Sequence, residues 1–456
     1  MRKPETGEGQ KPDYRYAWFV VVALLLVNIL NFIDRQLPII LIESIKRDLH
    51  LSDTQIGLLA GLAFTLAYSI GALVLASASD RYSRKWVLVG SLTTWSIFVA
   101  IGGLAQNFTQ FAVARLGVAI GESGGTPPAH AIITQYFPAH RRALPLALFS
   151  CGSSVGFMLG LMLGGFINDL GNWRLALFVA MPPGILLALI IALFVRESPN
   201  SAAPLKRTST VSSVGIAEVI RHFLRTRSLR TLVLGGGFYG FALTGVTVFL
   251  GAFFIRSHGL STSATGLMLG LGLGVGGGAG TIAGGYISDW AGRRDPRMRL
   301  WAPAIVTPAA VPLVVAALLV DSPTLATIFL GLAWTASAFY LAPYTAAVQS
   351  LVPAHMRATA SAISLIFTQG VGSSIGAVSV GMLSDKLMPV FGTDSLRYAL
   401  ICGITVLWVG SALFFAAGQH LPEDLARAFC GKRESGDSRG DCGGRLAAGS
   451  GAAVWG

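Results

Sequence analysis

The chain has 456 residues, 53% of them hydrophobic and 12% charged, with 55 glycines and a mean hydropathy of +0.63. A soluble domain carries about 25% charged residues, so this composition excludes a soluble enzyme, a disordered chain and a coiled coil and leaves an integral membrane protein. The 34 Lys+Arg against 22 Asp+Glu give a net charge of +12 and a pI near 9.9, which in a membrane chain marks loops held on the cytosolic side rather than a nucleic-acid partner.

A bilayer-spanning helix needs about 20 mostly apolar residues. Twelve such stretches follow one another, here called segments 1 to 12: 17–41, 56–78, 86–106, 109–136, 144–168, 173–195, 231–256, 264–288, 301–320, 324–352, 359–384 and 398–418. The expected fold is therefore an all-α integral membrane protein of twelve transmembrane helices in two six-helix halves. Residues 1–16 are polar and basic and do not resemble a cleavable signal peptide. The bundles span 17–195 and 231–418, joined by a cytosolic loop over 196–230. Within that loop Val214–Leu224 predicts a short amphipathic helix. The polar, glycine-rich stretch 419–456 reads as a disordered tail. Placing both termini inside puts 26 of the 34 Lys+Arg in cytosolic segments and 6 in outside loops. The four cysteines lack ligand spacing, so no metal, cofactor or disulfide framework is expected. The chain is expected to work as a monomer in the bilayer.

The halves repeat one another. Pro138-Ala139-His140-Arg141-Arg142-Ala143 returns as Pro353-Ala354-His355-Met356-Arg357-Ala358, Gly152-Ser153-Ser154-Val155-Gly156 as Gly372-Ser373-Ser374-Ile375-Gly376, and Leu51-Ser52 as Leu260-Ser261. Parallel repeats about an axis normal to the membrane are a transporter arrangement, with the substrate site between the halves. The loop after segment 2 carries Ser79-Asp80-Arg81-Tyr82-Ser83-Arg84-Lys85, and that after segment 8 carries Gly285-Tyr286-Ile287-Ser288-Asp289-Trp290-Ala291-Gly292-Arg293-Arg294. Both resemble the signature of the major facilitator superfamily. The second copy fits fully, and the first has Ala76 and Ser83 where the pattern has glycine. A carboxylate at a membrane boundary docks on a neighbouring helix N-terminus. Asp80, Arg84, Lys85, Asp289, Arg293 and Arg294 are therefore the expected cytosolic gate.

Charges inside spans are costly and mark function. Asp34 and Arg35 in segment 1 and Arg115 and Glu122 in segment 4 are such charges, all in the N-terminal half. Arg115 and Glu122, seven residues apart, share a helix face, whereas Asp34 and Arg35 point about 100° apart. Asp34 and Glu122 are the expected proton carriers. Arg115, and after it Arg35, is the expected holder of an anionic head group. The C-terminal half is expected to supply an apolar cavity wall, with Tyr340 and Tyr344 of segment 10 reaching into it. Gly152, Gly156, Gly160 and Gly164, like the run from Gly270 to Gly280, suit close helix packing. Pro127, Pro128 and Pro343 predict kinks in segments 4 and 10. His130 reads as structural.

Asn31-Phe32-Ile33-Asp34-Arg35, Leu51-Ser52-Asp53-Thr54-Gln55-Ile56-Gly57-Leu58-Leu59, the loop after segment 2 and Gly121-Glu122-Ser123 together resemble Spinster-like facilitators. Related anion–cation symporters share the Asp-Arg pair and the segment 4 glutamate. The short loops without an organellar signal suggest a bacterial inner membrane, and the resemblance implies a proton-coupled transporter and not an enzyme. It implies a substrate that is an amphipathic, anionic lipid-like solute such as a lysophospholipid or a sphingosine phosphate. By the same resemblance Asp34, Arg35, Arg115 and Glu122 are the family's intramembrane cluster. The alternatives are symport of a hydrophilic organic anion and a non-transporting lipid sensor on the same scaffold.

Overall fold

The computed structural model describes residues 14–138, 141–196, 216–353 and 356–433, and all regular structure among them is helical. Segment 1 is α1 (Tyr14–Ile40), which turns at Leu41 into a short helix, α2 (Ile42–Leu49). Segment 2 begins as α3 (Asp53–Gly57), passes through a π-turn over Leu58–Ala63 and continues as α4 (Phe64–Arg81). Then follow α5 (Arg84–Gly103), α6 (Phe108–Ser123), α7 (Thr126–Tyr136), α8 (Ala143–Leu170), α9 (Trp173–Phe194) and the loop helix α10 (Ile216–Arg225). The second half holds α11 (Arg227–His258), α12 (Thr262–Gly292), α13 (Met298–Val306), α14 (Ala310–Leu319), α15 (Pro323–Ala338) and α16 (Leu341–Ser350). Segment 11 is α17 (Arg357–Leu365), a second π-turn over Ile366–Gly372 and α18 (Ser373–Phe391). The last helix is α19 (Ser395–Arg433).

Ten stretches of the described residues are long and apolar enough to cross a membrane. Two features bring that number below the twelve segments. Segment 4 breaks at Gly124-Gly125, where Pro127 and Pro128 restart the helix as α7, and the stretch Thr359–Arg427 runs through α17, α18 and α19 together. Segment 10 breaks likewise at Phe339-Tyr340. The tail differs from expectation, because α19 stays helical to Arg433. Leu421 and Leu425 are buried there, and the buried Asp424 carboxylate accepts from both the amide and the hydroxyl of Ser228, each at 2.8 Å. Packing on the start of α11 thus extends a helix that composition alone ends earlier. Residues 434–456 lie outside the described residues, as do 1–13 and most of the loop expected at 196–230.

Within the first half α1 packs on α8, and α5 packs on α6 and α9; within the second, α11 packs on α18 and α19, and α12 on α15. Glycines set these distances. A Cβ at Gly156 of α8 would stand 2.4 Å from the Ile29 carbonyl oxygen of α1, and one at Gly280 of α12 would stand 2.1 Å from that of Thr335. The glycine runs therefore do pack helices at close range, as small residues do where no hydrophobic effect drives association. The halves meet along two seams, α3 with its π-turn against α18 and α8 against α12.

Candidate functional site

One end of the molecule is held shut by polar contacts between the halves. Ser52 caps α3 in a capping box with Gln55, and Ser261 caps α12. These are the serines that the repeat Leu51-Ser52 and Leu260-Ser261 marks. Each capped helix start then meets a carboxylate from the opposite half. Asp385 of α18 accepts from the amides of Asp53 and Thr54, at 3.0 and 2.8 Å, and from the Thr54 hydroxyl at 2.6 Å. Asp169 of α8 accepts from the amides of Thr262 and Ser263, at 3.2 and 2.8 Å, and from the Ser263 hydroxyl at 2.6 Å. Helix N-termini carry unpaired amides and a partial positive charge, so both contacts complete a cap. At the first seam Asp53 adds a charge. Arg256 of α11 donates to both its oxygens, at 2.9 and 2.8 Å, and to Glu43 at 2.6 Å. Lys46 reaches Asp53 at 2.6 Å, and the Ser384 hydroxyl donates to it at 2.7 Å.

Below this seal, between the halves, lies a cavity of about 730 Å³. Its walls come mainly from α1, segment 2, α11 and segment 11, with Phe157 of α8 and Pro127 of α7. Both π-turns border it. The lining is largely apolar, and Arg35 is its charged group. The C-terminal wall, expected to be apolar from its lack of charge, is not purely so, because Thr244, Thr247, Gln369 and Ser373 place hydroxyls and an amide there. Charge counting along the segments misses these uncharged donors.

The four intramembrane charges occur together but face different ways. Arg35 donates from Nε and Nη2 to the same Glu122 oxygen, at 3.2 and 3.0 Å. Its guanidinium lies 5.0 to 5.3 Å from the ring centres of Tyr68, Phe32 and Phe64. Glu122 is wholly buried behind it. Asp34, the next residue back, turns the other way and accepts from the Trp95 indole N–H of α5 at 3.1 Å. One oxygen of Asp34 and one of Glu122 are buried without a donor. Arg115 does not line the cavity. It is 7% exposed, with its guanidinium 4.8 Å from the Phe64 ring, so Phe64 stands between it and the cavity. The two arginines therefore exchange the order expected of them.

Tyr340 and Tyr344 do not line the cavity either. They are buried in an aromatic cluster with Tyr239 and Phe414, Tyr239 lying 4.5 Å from Tyr340. The break at the start of α16 turns them into the second bundle. Of the gate residues, Arg84 opens α5 behind the Ser83 cap, Lys85 lies over Trp86, and Arg294 lies over Trp290. Asp289 and Arg293 sit at the end of α12, and the side chain of Asp80 lies outside the described residues. The ion pairs that join the two halves among the described residues all lie at the opposite, sealed end. Sequence reasoning missed Trp95, Arg256, Asp169 and Asp385. The last two carry only a weak signal, since they are 216 positions apart, close to the 215 that separates Pro138 from Pro353 but in register with neither the Leu-Ser nor the Gly-Ser-Ser repeat.

Residues 24–377 match the sequence model of the Major Facilitator Superfamily. The chain belongs to that superfamily. It is a Spinster-like facilitator and not an enzyme. It is 35% identical over 425 residues to an MFS-type efflux pump of Mycolicibacterium smegmatis, covering 92% of this chain and 97% of that one. It is 25% identical over 445 residues to Protein spinster homolog 1 of Xenopus tropicalis, covering 91% and 83%. A crystal structure of a bacterial homolog to the human lysosomal transporter Spinster, inward-facing and unoccupied, superposes with a TM-score of 0.82. Its identity is 29%, and the match covers 91% of this chain and 99% of that one. The facilitator's internal repeat and its two latched seams are the features of this chain that the superfamily fold organises.

Proposed function

We propose that this facilitator is a proton-coupled transporter of an amphipathic, anionic lipid-like solute, working by alternating access through twelve membrane crossings with both termini in the cytosol of a bacterial inner membrane. The observation that carries the reading is the mostly apolar cavity of about 730 Å³ with a single guanidinium, Arg35, in its wall and the Glu122 carboxylate behind it. A guanidinium pairs bidentately with phosphate or carboxylate, and the apolar walls suit an acyl chain. An arriving anion competes with Glu122 for Arg35. A carboxylate that loses its cation binds a proton more readily, so solute and proton affinities are linked through one ion pair. Asp34 and Glu122 each keep an oxygen free of donors for that proton.

In this reading the sealed end faces outward and the conformation is inward-facing. Closure of the other end brings Asp80, Arg84 and Lys85 towards Asp289, Arg293 and Arg294, while the helix-start latches at the sealed end release. A second reading, a hydrophilic organic anion, is favoured by one observation: Thr244, Thr247, Gln369 and Ser373 offer hydrogen bonds along the C-terminal wall.

The test is a flux panel in proteoliposomes, with and without a pH gradient, using a lysophospholipid, sphingosine-1-phosphate and a dicarboxylate. The wild type is expected to move a lipid solute with gradient dependence. Asp34→Asn with Glu122→Gln is expected to abolish that dependence, and Arg35→Gln to weaken uptake roughly tenfold or more, the worth of a charge-assisted hydrogen bond. Movement of the dicarboxylate alone selects the second reading. Background flux with all three solutes overturns transport.

A further inference from the structure

The two carboxylates of the cluster have different kinds of partner. Glu122 is bonded twice to a guanidinium that three aromatic rings hold in place. Asp34 is 2% exposed, and its hydrogen-bond donor is neutral: the Trp95 indole N–H, at 3.1 Å. Indole nitrogen is a donor only, so this bond is stronger to a carboxylate than to the acid, and it is lost to no alternative role of the ring.

Trp95 is also fixed in place. It is completely buried, and it is among the largest fully buried side chains of the protein. A Cβ at Gly121 would stand 2.7 Å from the Trp95 amide nitrogen, and one at Gly125 would stand 3.6 Å from the far edge of its ring. The Gly121-Glu122 pair thus does two things at once. Glu122 supplies a charge, and Gly121 lets α5 approach closely enough to bring the indole to Asp34.

The charged surroundings of Asp34 are few. Glu122 and Arg115 act on it from α6, and Arg35, next on its own helix, turns to the cavity. From α5 comes Trp95, and that helix carries no charge beyond its start. His130 of α7 lies edge-on to Phe149, and α8 and α9 carry their charges only near their ends.

We propose that Trp95 is the positioning residue that sets the proton affinity of Asp34, the member of the Asp34–Glu122 pair whose direct donor is neutral. The proposal rests on the proton-coupled reading above, but its central claim has a readout of its own. The indole N–H stabilises the deprotonated aspartate. Removing it leaves a buried carboxylate with no direct donor, which takes up a proton at higher pH.

The experiment is a pH titration of infrared difference spectra on the purified full chain in lipid nanodiscs. The carboxyl C=O band of Asp34 is assigned by its loss in Asp34→Asn. Trp95→Phe is expected to move the midpoint of that band upward by about one pH unit, the equivalent of one hydrogen bond to a charged group. Because so buried a ring is also a packing element, a second variant carries benzothienylalanine at position 95, which keeps the shape and lacks the N–H. It is expected to show the same shift. A purely structural role for Trp95 predicts an unmoved midpoint in the benzothienylalanine protein, and that result overturns the proposal. So does a titrating band that survives Asp34→Asn and disappears in Glu122→Gln. Loss of gradient-dependent uptake in the wild type, with the Trp95-dependent shift intact, instead overturns the coupling reading and leaves the Asp34–Trp95 assignment standing.

Discussion

At the seam between α3 and α18, Asp385 completes the cap of one helix; at the seam between α8 and α12, Asp169 does the same for another, with the same three donors at matching positions. Around this shared latch the seams diverge. The first has a π-turn on each side, borders the cavity, and carries the Arg256, Asp53, Glu43 and Lys46 charges. The second joins two unbroken helices of 28 and 31 residues, where a Cβ at Gly266 would meet the Leu161 carbonyl oxygen at 2.2 Å. A π-turn carries one more residue than the α-helix it interrupts, and such turns are frequent at functional sites. One seam is therefore a straight, tightly packed contact and the other a deformable wall of the cavity, although the same latch geometry serves both.

Removal of one residue separates the seams most sharply. Deleting Leu62 from the first π-turn is expected to leave an ordinary α-helix with the register of Phe64 and Tyr68 unchanged, and so a folded protein. Deleting Leu271 from α12 rotates the rest of that helix by about 100°. Gly274 then leaves Met158 across the seam, Gly276 and Gly280 leave the α15 backbone they touch within the second half, and no monodisperse protein is expected on size exclusion. Equal failure of both deletions removes the distinction between the seams.

Next in size is Arg256→Ala. It leaves Asp53 and Glu43 buried with only Lys46 and Arg47 as cationic partners. Breaking a buried pair from one side costs about 3–5 kcal/mol, here charged to the sealed conformation. Spin-label distances across the sealed end, between α2 and α18, are expected to lengthen in most molecules. An unchanged distance distribution means that the ion network is not what closes this seam.

Replacing either latch carboxylate tests the shared part. Asp385→Asn and Asp169→Asn each keep the side-chain shape and lose the charge at a helix start. Each is expected to weaken the seal by about 1 kcal/mol, with the Asp169 variant showing it more cleanly because no ion network compensates at that seam. The readout is the same pair of distances taken at both seams.

The smallest effect lies beside the seal, in a contact within the first half. Asp48 accepts from Arg174 and from the Trp173 indole at the sealed end. The Arg174 hydrogen bond is the main influence that holds its carboxyl below the usual aspartate range. A lowered folded-state value means that the contact stabilises at pH above the ordinary carboxylate range and is lost as pH falls through the lowered one. The pair is substantially exposed, so Arg174→Gln is expected to cost under about 1 kcal/mol. That difference in melting temperature should vanish in acid, where wild type and variant converge.

Sequence determined much of this before any coordinates. Hydrophobic length gave the helices, because every backbone group in a bilayer must be bonded within its own segment. The repeated Leu-Ser pairs marked equivalent starts of segments 2 and 8, and the charges of segments 1 and 4 located the cluster. These features are local or periodic, and they remain visible in one dimension. What the tertiary structure decided depends on which faces meet. Whether Arg35 or Arg115 reaches the cavity depends on where the Phe64 ring stands, and Phe64 arrives from another helix just after a π-turn that no periodicity announces. Tyr340 and Tyr344 were expected in the cavity, and the break before α16 turns them into the second bundle. The tail's first turns are helical because Asp424 finds Ser228 nearly two hundred positions away. Trp95 looked like one more apolar residue of segment 3. Only packing across Gly121 brings its N–H to Asp34, because a hydrogen bond between helices is set by their distance and rotation, which the order of residues along either helix does not contain.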